Sequence, residues 1–195
     1  YVSSGEGTTS QGDFHEALNW ASNAKAPVIF HIQDNEYAIS THKSEQTAGS
    51  VYNMTAGYKN LSRYDVDGTD FFETNLAFRQ AVDRARKGKG PSVIISNVVR
   101  LLPHSSSDDQ RKYRTEEDLD EDKKRDPIKV LEDQCLKEKF ISSNEFKKIR
   151  DTVTTQIDED AQWAEEQSYP EPSTALDHIY SSDSINDEID YEPIS

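Results

Sequence analysis

Cysteine is almost missing from this chain: among 195 residues there is one, Cys135. A single thiol excludes a disulfide framework and any cysteine-built zinc site, and it is the usage of a reducing compartment. Apolar residues are also sparse at 33%, enough for one domain with a real core. No apolar run approaches the roughly 20 residues needed to cross a bilayer, and no secretory leader is read, so the chain is expected to be soluble and free of membrane contact. Positive charge is missing from one end. The last 45 residues, Asp151 to Ser195, carry 13 acidic residues and no Lys or Arg, leaving 24 acidic against 22 basic residues in the first 150. The formal charge of −15 therefore sits in the tail, where a like-charge block is usually a solvated stretch or linker rather than a docking surface. Nucleic acid binding is disfavoured on the same ground.

What is present alternates strand and helix. Phe14, Ala17, Leu18 and Ala21 recur at helical spacing over Gly12 to Ala24, and Pro27 opens an apolar run to Ile32. Tyr52 to Tyr58 reads as a short helix and Leu61 to Val66 as a strand. Thr69 or Asp70 caps a helix to Arg86 that Gly88 and Gly90 end, and Ser92 to Val99 reads as a buried strand. This order predicts an α/β fold, a parallel sheet flanked by helices. Helices are expected over Pro127 to Lys139 and Ser143 to Gln167, the latter with Phe146, Ile149, Val153 and Ile157 on one face. Little fixed structure is expected after about Tyr180. No internal repeat is visible.

The first 41 residues carry the densest chemistry. Gly5-Glu6-Gly7 follows an apolar lead-in and precedes the first helix, while Gln33-Asp34-Asn35-Glu36-Tyr37 follows the strand ending at Ile32. Parallel strands joined by a crossover helix leave their carboxyl ends on one edge of the sheet, where open α/β folds bind ligands, so Glu6 and Asn35 should converge. The N-terminal end of the helix offers free N–H groups to an anion at the same place. A hard cation such as Mg²⁺ takes a carboxylate, an amide or backbone carbonyl, water and substrate phosphate, which Glu6, the Asn35 side chain and the Tyr37 carbonyl suit. Gly7 and Gly12 have Walker spacing, but Asp13-Phe14 replaces Lys-Ser/Thr, and no G-x-G-x-x-G follows. By spacing alone, Gly-Glu-Gly is more often a plain strand-to-helix connection.

Gly5 to Gln46 closely resembles the thiamine diphosphate motif of the α subunits of 2-oxo acid dehydrogenases, the decarboxylating first component of those complexes. That motif opens Gly-Asp/Glu-Gly and closes about thirty residues later on an Asn, with the next residue but one giving its carbonyl. Glu6, Asn35 and Tyr37 occupy those positions, and Gly12 to Asn19 and Ala38 to Thr41 also match. Glu at position 6 resembles the branched-chain members. The resemblance implies thiamine diphosphate and Mg²⁺ as cofactors. Gly5, Glu6, Gly7, Thr8, Gln33, Asn35, Tyr37 and Ala38 would bind cofactor, and Glu6, Asn35 and Tyr37 would hold the metal. It also implies a decarboxylating dehydrogenase of the branched-chain type that passes an acyl group to the lipoyl group of an acyltransferase, with a pyruvate dehydrogenase α subunit as the alternative. A non-catalytic scaffold keeping the fold is a reading from a different class.

A second constellation runs from Arg100 to Arg114: Arg100-Leu-Leu-Pro103-His104-Ser105-Ser-Ser-Asp108-Asp109 and Tyr113-Arg114. A lone loop histidine is usually just solvent-exposed. In the resembled family this loop reads His-His-Ser-Thr/Ser-x-Asp-Asp with a later Tyr-Arg; His104 matches the second histidine and Pro103 replaces the first. The resemblance implies that His104 contacts cofactor and shuttles a proton, that Arg100 steadies a carboxylate, and that Ser105, Asp108, Tyr113 and Arg114 order the loop and meet the lipoyl domain. Ser105 lies where animal enzymes are phosphorylated and is read as ordinary loop polarity. His31 is expected to be a satisfied core histidine and His15 to pack against its helix; His15, His31, His42 and His178 show no metal-ligand pairing.

Three segments are expected: the C-terminal part of a thiamine diphosphate-binding domain over 1–115, a helical extension over 116–168 and an acidic linker over 169–195. The start on a cofactor loop suggests part of a longer protein. The resemblance implies a β subunit, or a β half of the same chain, and the lipoyl-bearing acyltransferase as partners in an oligomer of α and β units. It also implies a small 2-oxo acid as substrate and a cytoplasmic or mitochondrial-matrix location.

Overall fold

A computed structural model of the protein describes residues 1–177, so His178 and the stretch beyond Tyr180 lie outside the described residues. The chain divides into a compact unit, residues 1–142, and a second unit beginning at Ser143.

The first unit is built on four parallel strands in the order β1-β2-β6-β5: β1 Val2–Gly5, β2 Ile29–Asp34, β5 Ser62–Asp67 and β6 Ser92–Asn97. Strand alternation sends side chains to opposite faces. Phe30, Ile32, Val93 and Ile95 pack with Phe14, Leu18 and Ala21 of α1, Gly12–Ala24. Ile29, Ile94 and Val66 pack with Ala77 and Ala81 of α4, Phe71–Arg86. Both faces of the central strand β6 are therefore buried, which is why it reads as an uninterrupted apolar run. Of the expected α1 stripe, Ala17 is exposed while the other three members are buried.

Three elements between β2 and β5 lack any sequence periodicity. A two-stranded antiparallel ribbon pairs β3, Tyr37–Ala38, with β4, Thr41–His42. The one-turn helix α2, Lys43–Gln46, follows directly, and His42 caps it by accepting from the Ser44 N–H. The short α3, Val51–Met54, continues as a tight turn over Thr55–Gly57 and covers the α1 side of the core through Val51.

After β6 the chain leaves as the Arg100 loop and then forms α5, Glu116–Lys124, and α6, Pro127–Lys137. These helices belong to the compact unit because they are tied back to it. Arg114 pairs with Asp122 at 2.5 Å, Arg125 with Asp67 at 3.4 Å, and Gln134 donates to Asp70 at 3.2 Å. The described residues of the second unit form α7, Ser143–Glu166, and a short 3-10 turn, Pro172–Leu176. Its expected stripe residues Ile149, Val153 and Ile157 are exposed. Among the described residues no helix is long and apolar enough to cross a membrane.

Candidate functional site

The parallel register aligns Gly5, Gln33, Ser96 and Val66 across the sheet, so the segments after β1, β2 and β6 emerge together on the carboxyl edge. After Gly5 the chain winds into one tight 3-10 turn, Glu6–Ser10, before α1 begins. The Thr9 hydroxyl donates to the Glu6 carbonyl at 2.6 Å and is fully buried, which pins the turn from inside. Gly7 is there for space: a Cβ on it would lie 2.8 Å from the Ala38 Cβ. The Gln46 amide closes the turn from α2, donating to the Gly7 carbonyl at 2.8 Å and to Ser10 Oγ at 3.0 Å.

Glu6 points inward and is only 3% exposed. Its Oε2 accepts the Asn35 N–H at 3.4 Å, while its Oε1 is buried without a hydrogen-bond partner. Burial pushes this carboxyl above its ordinary value. The nearby Asp34 charge adds to the rise, and the Glu6 and Asn35 N–H groups and Lys43 oppose it. Asn35 is half-buried on a tight loop in which Glu36 has a left-handed φ of 70°. Its side-chain oxygen accepts the Tyr37 N–H at 3.0 Å, and Asp34 accepts the Glu36 N–H at 3.0 Å. An amide oxygen has two lone pairs, so Asn35 Oδ1 keeps one for a further partner. The expected convergence of Glu6 and Asn35 is thus present. Gly5, Thr8 and Gln33 lie exposed along the same edge, with Ala38 half-buried behind Gly7.

The donor set suits a hard cation: one carboxylate, one amide oxygen and nearby carbonyls, with the buried unpaired oxygen of Glu6 as the group most in need of one. Among the described residues no cluster of three or more His, Cys, Asp and Glu capable of holding a metal occurs. A site of this composition leaves the remaining positions to phosphate and water.

The Arg100 loop is braced on the same side. Arg100 donates to the Ile39 carbonyl at 2.7 Å and to the Tyr113 hydroxyl at 2.7 Å, and its guanidinium lies over the Tyr37 and Tyr113 rings. Tyr113 in turn donates to Asp108 at 2.6 Å, and Asp108 accepts the His104 N–H at 3.0 Å. The Tyr113 hydroxyl beside Asp108 holds that carboxylate below its usual range. Both terminal nitrogens of Arg100 are engaged here, so it braces the loop, while its Nε is buried without a hydrogen-bond partner. Arg114 is likewise interior: buried, paired with Asp122, donating to the Arg100 carbonyl at 3.1 Å and stacked over Tyr37. It anchors the loop's base, whereas His104 and Ser105 stand exposed on its outer turn.

His31 is a core histidine, its two ring nitrogens meeting the Tyr1 hydroxyl at 2.8 Å and Ser96 Oγ at 2.9 Å. His15 packs edge-on against Phe14.

Residues 1–173 match the family described as "Dehydrogenase E1 component". The chain belongs to this family. Its relatives are α subunits: it is 38% identical over 182 residues to the 2-oxoisovalerate dehydrogenase subunit alpha of Bacillus subtilis, covering 92% of this chain and 54% of that protein. It is 35% identical over 156 residues to the pyruvate dehydrogenase E1 component subunit alpha of Acholeplasma laidlawii, covering 80% and 45%. To the corresponding Staphylococcus aureus subunit it is 42% identical over 137 residues, covering 68% and 37%. This E1 chain therefore spans about half, or less, of the length of these relatives. A solved transketolase from Leishmania mexicana superposes on 49% of this chain and 14% of its own, at 22% identity and a TM-score of 0.43, too slight a likeness to build on. Asp34, Lys43 and Gln46 hold the two site loops; the stretch Lys43 to Gln46 follows the motif as in the branched-chain members, where the resemblance implies a chiefly structural role, and Asp34 is the one that sequence patterning left unassigned.

Proposed function

We propose that this chain supplies the cation- and diphosphate-holding side of an α-type subunit in a thiamine diphosphate-dependent 2-oxo acid dehydrogenase of the branched-chain type. The observation that supports it most is the Glu6 carboxylate, buried at the carboxyl edge beside Asn35 with one oxygen unpaired. A buried carboxylate oxygen without a partner is costly, and a bound Mg²⁺ relieves that cost. Glu6 and Asn35 through their side chains and Tyr37 through its carbonyl would hold the ion. Gly5, Gly7, Thr8, Gln33 and Ala38 would lie along the diphosphate. When bound, the cofactor supplies the carbanion and the electron sink for decarboxylation. The chain's own part is to anchor and orient. The Arg100–Tyr113–Asp108 brace fixes the loop so that the His104 imidazole can give or take a proton at the mouth, and the exposed turn around Ser105 meets a lipoyl-bearing domain of the acyltransferase. A β subunit or β half completes the site from the other side.

Two observations favour the branched-chain type: Glu rather than Asp at position 6, and the Bacillus subtilis match over 92% of this chain. The pyruvate type has in its favour the 42% identity to the Staphylococcus aureus subunit, over a shorter stretch. Steady-state turnover of the full-length protein assembled with its β partner should give a higher kcat/KM for 3-methyl-2-oxobutanoate than for pyruvate. The reverse preference selects the pyruvate type, and no carbon dioxide from either substrate overturns the enzymatic reading in favour of a scaffold.

A further inference from the structure

Lys43 begins α2 and faces the loop that carries Asn35. Its ammonium lies 3.3 Å from Asp34 Oδ2 and 3.0 Å from Glu36 Oε1, the two residues flanking Asn35 in sequence. Its backbone N–H donates to the Glu36 carbonyl at 2.8 Å. The loop is thus gripped three times by one residue, twice through charge and once through the main chain. Asp34 is itself buried, and with Glu6, Lys43 and Val51 it lines a small cavity. Without the lysine, three carboxylates, those of Glu6, Asp34 and Glu36, would surround Asn35 with no charge to balance them. A divalent ion entering such a cluster would meet Asp34 as readily as Asn35, because a carboxylate is a stronger ligand for a hard cation than an amide.

We propose that Lys43 is a positioning residue of the cation site: its ammonium occupies Asp34 and Glu36, so that Asn35 and Glu6, rather than Asp34, are left to meet the ion. This rests on the function proposed above. It acts through neighbouring groups, as outer partners of metal ligands do, and such partners typically change metal affinity by about 10–100-fold when removed.

The test uses the full-length protein assembled with its β partner, titrated with Mg²⁺ at fixed thiamine diphosphate and followed by calorimetry, with thermal melting as the control for folding. Lys43→Met should raise the Mg²⁺ concentration for half-saturation by about tenfold or more while leaving the melting temperature nearly unchanged. Lys43→Arg should recover most of the loss. Adding Asp34→Asn to Lys43→Met should recover part of it, because the uncompensated carboxylate is then gone. If the Met variant does not fold, Lys43→Gln carries the same comparison. A Lys43 variant that titrates like the wild type overturns the proposal, as does a shift that Arg fails to reduce and that follows the melting temperature. Wild-type protein that binds the cofactor without regard to Mg²⁺ overturns the functional reading itself, and the positioning role with it.

Discussion

Gly7 is the tightest point of the site, and its neighbours explain why the position has no side chain. A Cβ there would stand 2.8 Å from that of Ala38 on the β3–β4 ribbon, and neither group can swing away. Gly7→Ala should therefore separate the Glu6 turn from the ribbon at a cost of about 1–3 kcal/mol, seen as a lower melting temperature together with weaker cofactor binding; an Ala variant equal to wild type in both would mean that the two loops are not packed as described. Asn35 and Glu6 were legible from spacing and from the family motif because both signals live in the sequence itself. Of Lys43 and Gln46 the motif implied only a structural role, and their partners, like the role of Asp34, depend on which loops the sheet brings together. His31 gives a pH signature that is independent of function. Burial holds its imidazole below the ordinary value of about 6.5. Unfolding therefore takes up a proton in the window between the folded and unfolded values. Stability is full above about pH 6.5 and falls as the pH drops towards the folded value. The melting temperature of His31→Gln should fall less steeply than that of the wild type between about pH 7 and about pH 5.5, and parallel curves would contradict the assignment.

Among the elements, α4 shows how far local rules reach. Asp70 accepts the Phe72 and Glu73 N–H groups, so the cap read from the sequence is made, and Gly88 and Gly90 follow its end with left-handed φ values of 63° and 94°. Asp70→Ala should lower stability by about 1 kcal/mol, measurable by denaturant unfolding; no change would show that another group caps the helix. The β3–β4 ribbon and α2 were not legible because they are too short to display a period. Helix α5 lies inside the helical extension expected from residue 116 but was not read as an element of its own, for a different reason. Glu116 to Lys124 contains one apolar residue, Leu119, so no stripe exists, although Thr115 and Asp118 form a complete capping box that a reading of caps alone would have found. The Arg100 loop has no repeat to read either, and its order comes from Tyr113. Tyr113→Phe removes the bonds to both Arg100 and Asp108. Limited proteolysis should then cut between Pro103 and Lys112 several times faster with the core helices still intact, and unchanged cleavage would mean that the brace does not order the loop.

At the scale of the molecule, the family and the parallel sheet were legible because the cofactor-type motif and the strand–helix alternation are both local in sequence. The attachment of α5 and α6 to the sheet unit was not, since it depends on ties distant in sequence, Arg125–Asp67 and Gln134–Asp70. In the proposed function the edge built by β1, β2 and β6 holds the cofactor from one side only, and a flexible charged ligand held in that way has few contacts to offset the cost of immobilising it. Residues 1–195 alone should therefore release no carbon dioxide above a cofactor-only control when mixed with thiamine diphosphate, Mg²⁺ and a branched-chain 2-oxo acid, and turnover above that control would show the site to be complete within them. The central claim is that Glu6 holds the cation on which cofactor binding depends, and calorimetric titration of thiamine diphosphate into the full-length assembled protein tests it most directly, with Mg²⁺ or with chelator, for the wild type and for Glu6→Gln. Saturable binding that requires Mg²⁺ in the wild type and is lost or weakened at least about tenfold in Glu6→Gln is the predicted result; equal affinity in the two proteins, or binding indifferent to Mg²⁺, would contradict it.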